Sequence, residues 1–99
     1  VIVNDDYTLL DLREDNEIYH DGKIQNSIHV PFNTVSDYLI KEKENLRGKK
    51  VLMYCAVGHR STLAVQVSKS YDYKNCYHLM GGIKNWIAQN NPIEKKDHY

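Results

Sequence analysis

Cysteine, proline and glycine are all scarce in this chain, with two, two and five among 99 residues. Two distant cysteines, Cys55 and Cys76, cannot form a disulfide framework, and so little proline and glycine excludes collagenous and linker-like classes. An excess of either charge is missing as well: 13 Lys and Arg balance 13 Asp and Glu, for a formal net charge of +0. No global field recruits polyanions, so neither nucleic acid nor an anionic membrane is an expected partner. Long apolar runs are absent. The stretch Val51-Leu52-Met53-Tyr54 falls far short of the ~20 residues a spanning helix needs. The opening Val1-Ile2-Val3-Asn4-Asp5-Asp6 lacks an initiator Met and the basic-then-apolar layout of a signal peptide, which suggests a piece of a longer polypeptide. With no N-x-Ser/Thr acceptor and two unpaired-looking cysteines, a reducing, cytoplasmic setting is expected. The hydrophobic share of 41% suffices for one domain over 1–99, with a core over about 7–91 and a tail over 92–99.

Breakers recur at intervals that suit alternating strands and helices. Tyr7 to Leu12 and Val51 to Tyr54 read as buried parallel strands. Ile28 to Val30, stopped by Pro31, and Cys76 to Leu79, stopped by Gly81-Gly82, are two more, and Val1 to Val3 is a candidate edge strand. Val35, Tyr38, Leu39 and Leu46 recur at helical spacing after Asn33-Thr34. A second helix fits Ser61 to about Tyr71, with Leu63, Ala64, Val67 and Ser68 on one face, and a third runs from about Ile83 through Trp86 to Asn90-Asn91-Pro92. Strand-helix alternation predicts an α/β fold with a central parallel sheet of four to five strands and helices on both faces.

In such folds ligands bind beyond the C-terminal strand ends, where loops enter helix N-termini. Cys55 stands at that place, heading the loop Cys55-Ala56-Val57-Gly58-His59-Arg60 before Ser61. A thiol is nucleophilic only as the thiolate, so a reactive site must favour negative charge. The free N–H groups and positive dipole end of the next helix do so, as does the Arg60 guanidinium. Gly58 permits a turn that lets successive N–H groups converge on the sulfur or on an anion attached to it. An inert buried thiol ending a strand is the plainer account of Cys55, but it leaves Gly58 and Arg60 unexplained.

Cys55-Ala56-Val57-Gly58-His59-Arg60-Ser61 resembles the Cys-x-x-Gly-x-Arg-Ser active loop of the rhodanese family of thiosulfate and persulfide sulfurtransferases. Leu10-Asp11-Leu12-Arg13-Glu14 is similar to the family's aspartate-x-arginine segment. His20-x-Gly22-x-Ile24 with Ser27-Ile28-His29-Val30-Pro31 resembles its "GHIPGAINIP" stretch, and Leu79-Met80-Gly81-Gly82-Ile83-x-x-Trp86 its closing motif. The four motifs keep family order over nearly the whole chain. Two departures stand out: Asp21 to Ser27 lacks the usual proline and has Asn26 where glycine is common, and the segment before the aspartate motif is short. A differently shaped loop and a reduced sheet edge are expected there.

The resemblance implies a rhodanese-like fold and sulfur transfer, with Cys55 attacking a donor sulfur, carrying it as a persulfide and passing it to an acceptor such as cyanide or a thiol. Thiosulfate and persulfides would be the donors. Ala56, Val57, Gly58, His59, Arg60 and Ser61 would bind substrate through loop amides, the Arg60 fork orienting a sulfonate. His59 reads as a rim residue or a bystander. Asp11 and Arg13 would support the site structurally, with a surface ion pair the plainer account of Arg13. Gly81 and Gly82 would close the pocket, and Trp86 would pack in the core. Neither a cofactor nor a metal is implied.

A related Cys-based phosphatase or arsenate reductase uses Cys-x5-Arg, whereas the spacing here is Cys-x4-Arg. Tyr54 also stands where such enzymes carry His, and the loop holds no acid. A non-catalytic regulatory or partner-binding module is a further reading, which retention of Cys55 disfavours. Pairing of Cys55 with Cys76 and metal binding through Cys76-x-His78 remain two others.

Overall fold

A computed structural model of the chain describes residues 7–94. Four parallel strands, β1 (Tyr7–Asp11), β2 (Ile28–His29), β3 (Lys50–Tyr54) and β4 (Cys76–His78), form one sheet in the order β2-β1-β3-β4. The helices are α1 (Asp15–Asp21), α2 (Val35–Lys41), α3 (His59–Lys69) and α4 (Gly82–Ala88), with a 3₁₀ turn over Phe32–Thr34. The expected strand over Val1 to Val3 lies outside the described residues. Among those described, no helix is long and apolar enough to cross a membrane.

Register explains the layering. Leu9 lies opposite Leu52 and Leu10 opposite Met53, and successive side chains on a strand point to opposite faces. One face gathers Leu10, Val51 and Met53 with Val35 and Leu39 of α2 and Ala64 of α3. The other gathers Leu9, Leu52 and Tyr54 with Ile83 and Trp86 of α4. Both central strands are therefore apolar on both faces, as a covered parallel sheet requires.

Three helices differ from the sequence reading: α2 ends at Lys41, so Leu46 joins the core from the turns beyond it. α1 was not anticipated: it is seven residues long, and Ile18 is its one buried residue, so it carries no apolar stripe for periodicity to register. It is fixed by its ends, where the Glu17 carboxylate accepts the Glu14 N–H at 2.8 Å and Gly22 takes φ +80°. α3 starts at His59, two residues earlier than read, and Leu63 on it is exposed at 51%. Its inward face is Ser61, Ala64 and Ser68. Small residues let the helix lie close to the sheet, and Ser68 satisfies its own hydroxyl on the Val65 carbonyl at 2.6 Å.

Arg13 is a further correction. It is not a surface ion pair but is fully buried, as is Asp11. The guanidinium meets the carboxylate with two bonds, Nε to Oδ1 at 3.0 Å and Nη2 to Oδ2 at 2.8 Å, and Nη2 also donates to the Gly22 carbonyl at 2.6 Å. The Tyr54 hydroxyl donates to Asp11 Oδ2 at 2.7 Å and accepts the Ile24 N–H at 3.0 Å, with Ser27 Oγ 3.1 Å away. Burial, then the Asp11 charge, pushes the Tyr54 phenol well up, so it remains a donor. Both Asp11 oxygens are fully engaged and Arg13 donates through Nε and Nη2, while its buried Nη1 has no partner.

Removing one partner should therefore cost far more than trimming the network. Asp11→Ala, which strands the Arg13 charge, is expected to lose about 3–5 kcal/mol, and Tyr54→Phe about 1–3 kcal/mol. Equilibrium urea unfolding checks both, and equal losses would contradict this account.

Candidate active site

The strand order reverses beside β1, so β1 and β3 are parallel neighbours whose C-terminal ends share one edge. Such a switch point opens a crevice above the sheet. β3 delivers Cys55 there, and the chain turns within three residues into α3. Gly58 adopts φ +116°, a left-handed conformation that side-chain-bearing residues resist. That turn swings the Gly58 N–H onto Cys55 Sγ at 3.1 Å. Ser61, one turn into the helix, places its Oγ 3.7 Å from the sulfur.

Cys55 is buried, 1% exposed. Burial alone would push its thiol up. The N–H and hydroxyl of Ser61, followed by the N–H groups of Gly58 and Arg60, outweigh that cost and hold the thiol below its ordinary 9.0. By contrast burial pushes Cys76 up, against a lowering contribution from Ser68. Both cysteines are free thiols, so one chain holds a thiol tuned toward ionisation and another tuned away from it. No group of three or more His, Cys, Asp or Glu among the described residues is placed to hold a metal ion.

The outer side of the loop is held by α4. Ile83 N–H donates to the Cys55 carbonyl at 2.9 Å and Lys84 N–H to the Ala56 carbonyl at 3.1 Å. With these carbonyls turned toward α4, the N–H groups of the same peptides, those of Ala56 and Val57, point away from it. Gly82 makes the approach possible. A Cβ there would lie 2.4 Å from the Ala56 oxygen and 2.5 Å from the Cys55 oxygen, on a backbone already at φ +64°. Gly82 thus acts on the loop's backbone, whereas a Cβ at Gly81 would meet the Asn85 side chain at 2.6 Å. Their neighbour Met80 is 79% exposed, and Trp86 is buried, its indole N–H donating to the Pro92 carbonyl at 2.7 Å.

The other anticipated residues take several positions. Val57 and His59 face solvent. Asp11 and Arg13 reach the site indirectly, by fixing Tyr54, the residue before Cys55. The Arg60 fork, expected to receive a sulfonate, instead grips Glu17 of α1, Nη1 to Oε1 and Nη2 to Oε2, both at 2.9 Å. Arg60 accordingly holds the Glu17 carboxyl down at about 2, and Glu17 raises Arg60. Glu17, Tyr54, Ser27 and Gly22 are participants that the sequence reading missed. The Glu14-x-x-Glu17 spacing of a helix start was the available signal for Glu17.

The fold and site define an α/β protein with a cysteine-headed loop at a strand-to-helix turn. The chain belongs to the rhodanese-like domain family, whose model matches residues 2–89. It is 32% identical over 97 residues to a tRNA uridine(34) hydroxylase of Acinetobacter baumannii, covering 95% of this chain and 31% of that protein. It is 29% identical over 102 residues to thiosulfate sulfurtransferase/rhodanese-like domain-containing protein 3 of Mus musculus, covering 93% and 65%. The chain thus spans about a third of the first relative and under two thirds of the second. A solved protein of unknown function from Rhodopseudomonas palustris, described as a possible tyrosine phosphatase, superposes with a TM-score of 0.84 at 29% identity, covering 91% and 72%.

Two outcomes test the site's electrostatics. Thiolate absorbance should give a Cys55 midpoint below 9.0, and Gly82→Ala, by forcing the two carbonyls off α4, should raise that midpoint and slow alkylation by about tenfold. An unchanged midpoint in a folded variant would show that the clamp does not orient the amides. The Glu17 carboxyl titrates below its ordinary 4.5 in the folded protein, so its pair with Arg60 stabilises the fold fully above that pH. Acid unfolding should lose this contribution as pH falls from 4.5 toward about 2, and Glu17→Gln should flatten that limb of the stability profile.

Proposed function

We propose that this rhodanese-like domain is a sulfurtransferase that moves a sulfane sulfur from thiosulfate or a persulfide to a thiol or cyanide through a Cys55 persulfide. The observation that carries this reading is the convergence of N–H donors on a buried sulfur. Gly58 N–H lies 3.1 Å from Sγ, and the Ser61 and Arg60 amides lower the same thiol. Preorganised donors in a site shielded from water favour the thiolate that attacks and the persulfide anion that follows. Each added sulfur keeps one negative charge for the loop to hold.

Ring size supports the same chemistry. Six residues from Cys55 to Arg60 draw the amides toward one sulfur atom, whereas the phosphatase spacing opens a wider cradle for a tetrahedral anion. The loop supplies neither an acid for a leaving alcohol nor a free guanidinium fork for a phosphoryl group, because Glu17 occupies Arg60. A relative named as a thiosulfate sulfurtransferase domain protein aligns over 93% of the chain.

Intact-mass measurement of the reduced protein, before and after a sulfane-sulfur donor, tests the proposal. One sulfur atom should be gained, then discharged by cyanide as thiocyanate, and Cys55→Ser should gain none. Absence of any adduct from both thiosulfate and a low-molecular-weight persulfide would overturn it.

A further inference from the structure

We infer that Glu17 is a specificity-determining residue: by occupying the Arg60 fork, it selects a thiol-borne persulfide as sulfur donor over a sulfonate-bearing one such as thiosulfate. This rests on the sulfurtransferase reading above and narrows it.

Arg60 is the one Lys or Arg in the loop from Cys55 to Ser61, and both terminal nitrogens of its guanidinium are committed to the Glu17 carboxylate at 2.9 Å. The carboxylate is itself tethered, since Oε1 also accepts the Glu14 N–H at 2.8 Å at the start of α1. A sulfonate seeking the same fork must displace a bidentate, charge-matched partner. With most of its charge matched by Glu17, Arg60 keeps its remaining attraction for Cys55, and the Gly58 N–H and Ser61 hydroxyl gather on the same sulfur. His59 and Lys84 are exposed, where solvent and salt screen their charges.

The two donors load the site with different charge. With thiosulfate, the Cys55 thiolate attacks the outer sulfur, a Cys55–S bond forms, the S–S bond breaks and its electron pair leaves on sulfite. Three negative charges are present throughout, two of them on the departing sulfite. With a persulfide anion, the same attack expels a thiolate, which takes a proton from water. Two negative charges are then involved, and only one departs. In both cases the sulfur moves without a change of oxidation state, so no oxidant or reductant is needed. A departing dianion gains little from a guanidinium whose charge Glu17 already matches, and the Glu17 and Arg60 side chains are only 28% and 29% exposed. Val57 and Met80, both exposed and apolar, suit the uncharged stem of a thiol carrier.

The test compares second-order rates of Cys55 persulfide formation from thiosulfate and from the persulfide of 2-mercaptoethanol, whose stem is uncharged, followed by quenched intact mass. The wild-type protein should load at least about tenfold faster from that persulfide, and Glu17→Gln should move the ratio of the two rates toward thiosulfate by about tenfold. Gln keeps an acceptor for the Glu14 N–H, so α1 retains its start, and a thermal melt verifies folding. Wild-type loading from thiosulfate as fast as from the persulfide, a comparison needing no variant, would overturn the assignment while leaving sulfur transfer intact. An unmoved ratio in folded Glu17→Gln would do the same. Failure of both donors to load the wild-type protein would remove the sulfurtransferase reading together with this one.

Discussion

The site depends on which way two peptide groups face. The carbonyls of Cys55 and Ala56 accept the N–H groups of Ile83 and Lys84, and because each peptide is planar the N–H groups of Ala56 and Val57 point away from α4. The turn itself is closed by Gly58 at φ +116° and tied to α3, where the Thr62 hydroxyl donates to the Gly58 carbonyl at 2.7 Å. Each of these restraints is on backbone, which explains why glycine stands at both contact points. A Cβ at Gly82 would enter the space of the two oxygens it sits against, and a Cβ at Gly58 would resist the conformation even though the room is there.

Beneath the loop, the buried Asp11–Arg13 pair performs a different task. Its bonds to Tyr54 and the Gly22 carbonyl join β1, β3 and the end of α1 at one point. A buried ion pair is weak evidence of stability when compared with an apolar replacement. What it contributes here is fixed geometry, because every partner must arrive at one angle for the charges to be matched. Tyr54 is held at its hydroxyl by Asp11, while its carbonyl accepts the Leu12 N–H at 2.9 Å, and Cys55 follows directly from it. The sulfur's position is thus inherited from a network that never touches it. Glu17 extends the same logic to α1, which packs little apolar surface yet presents the carboxylate that Arg60 meets.

Much of this was legible in the residues. The apolar runs around Leu9 and Val51 marked the two central strands, and the Cys55-x-x-Gly58-x-Arg60-Ser61 pattern located the loop, because strand burial and left-handed turns impose local composition. Leu63 was read inward because it is apolar, whereas α3 turns Ser61, Ala64 and Ser68 to the sheet. Close approach to the loop and sheet favoured small side chains over large ones, a demand that hydrophobicity alone does not reveal. Arg13 was read outward for the opposite reason: a guanidinium is ordinarily too costly to bury, and its acceptors, Asp11 and the Gly22 carbonyl, are assembled only by the fold.

The alternation of strands and helices, the cysteine-headed turn and the family are each encoded in residues near one another along the chain. What those residues face follows from the fold. Glu17 and Arg60 are 43 positions apart, as are Asp11 and Tyr54, and no local propensity reports a partner at that distance. Whether a guanidinium stands free for a ligand or is already neutralised depends on the folded neighbourhood, because electrostatic attraction follows separation in space and not order in the chain.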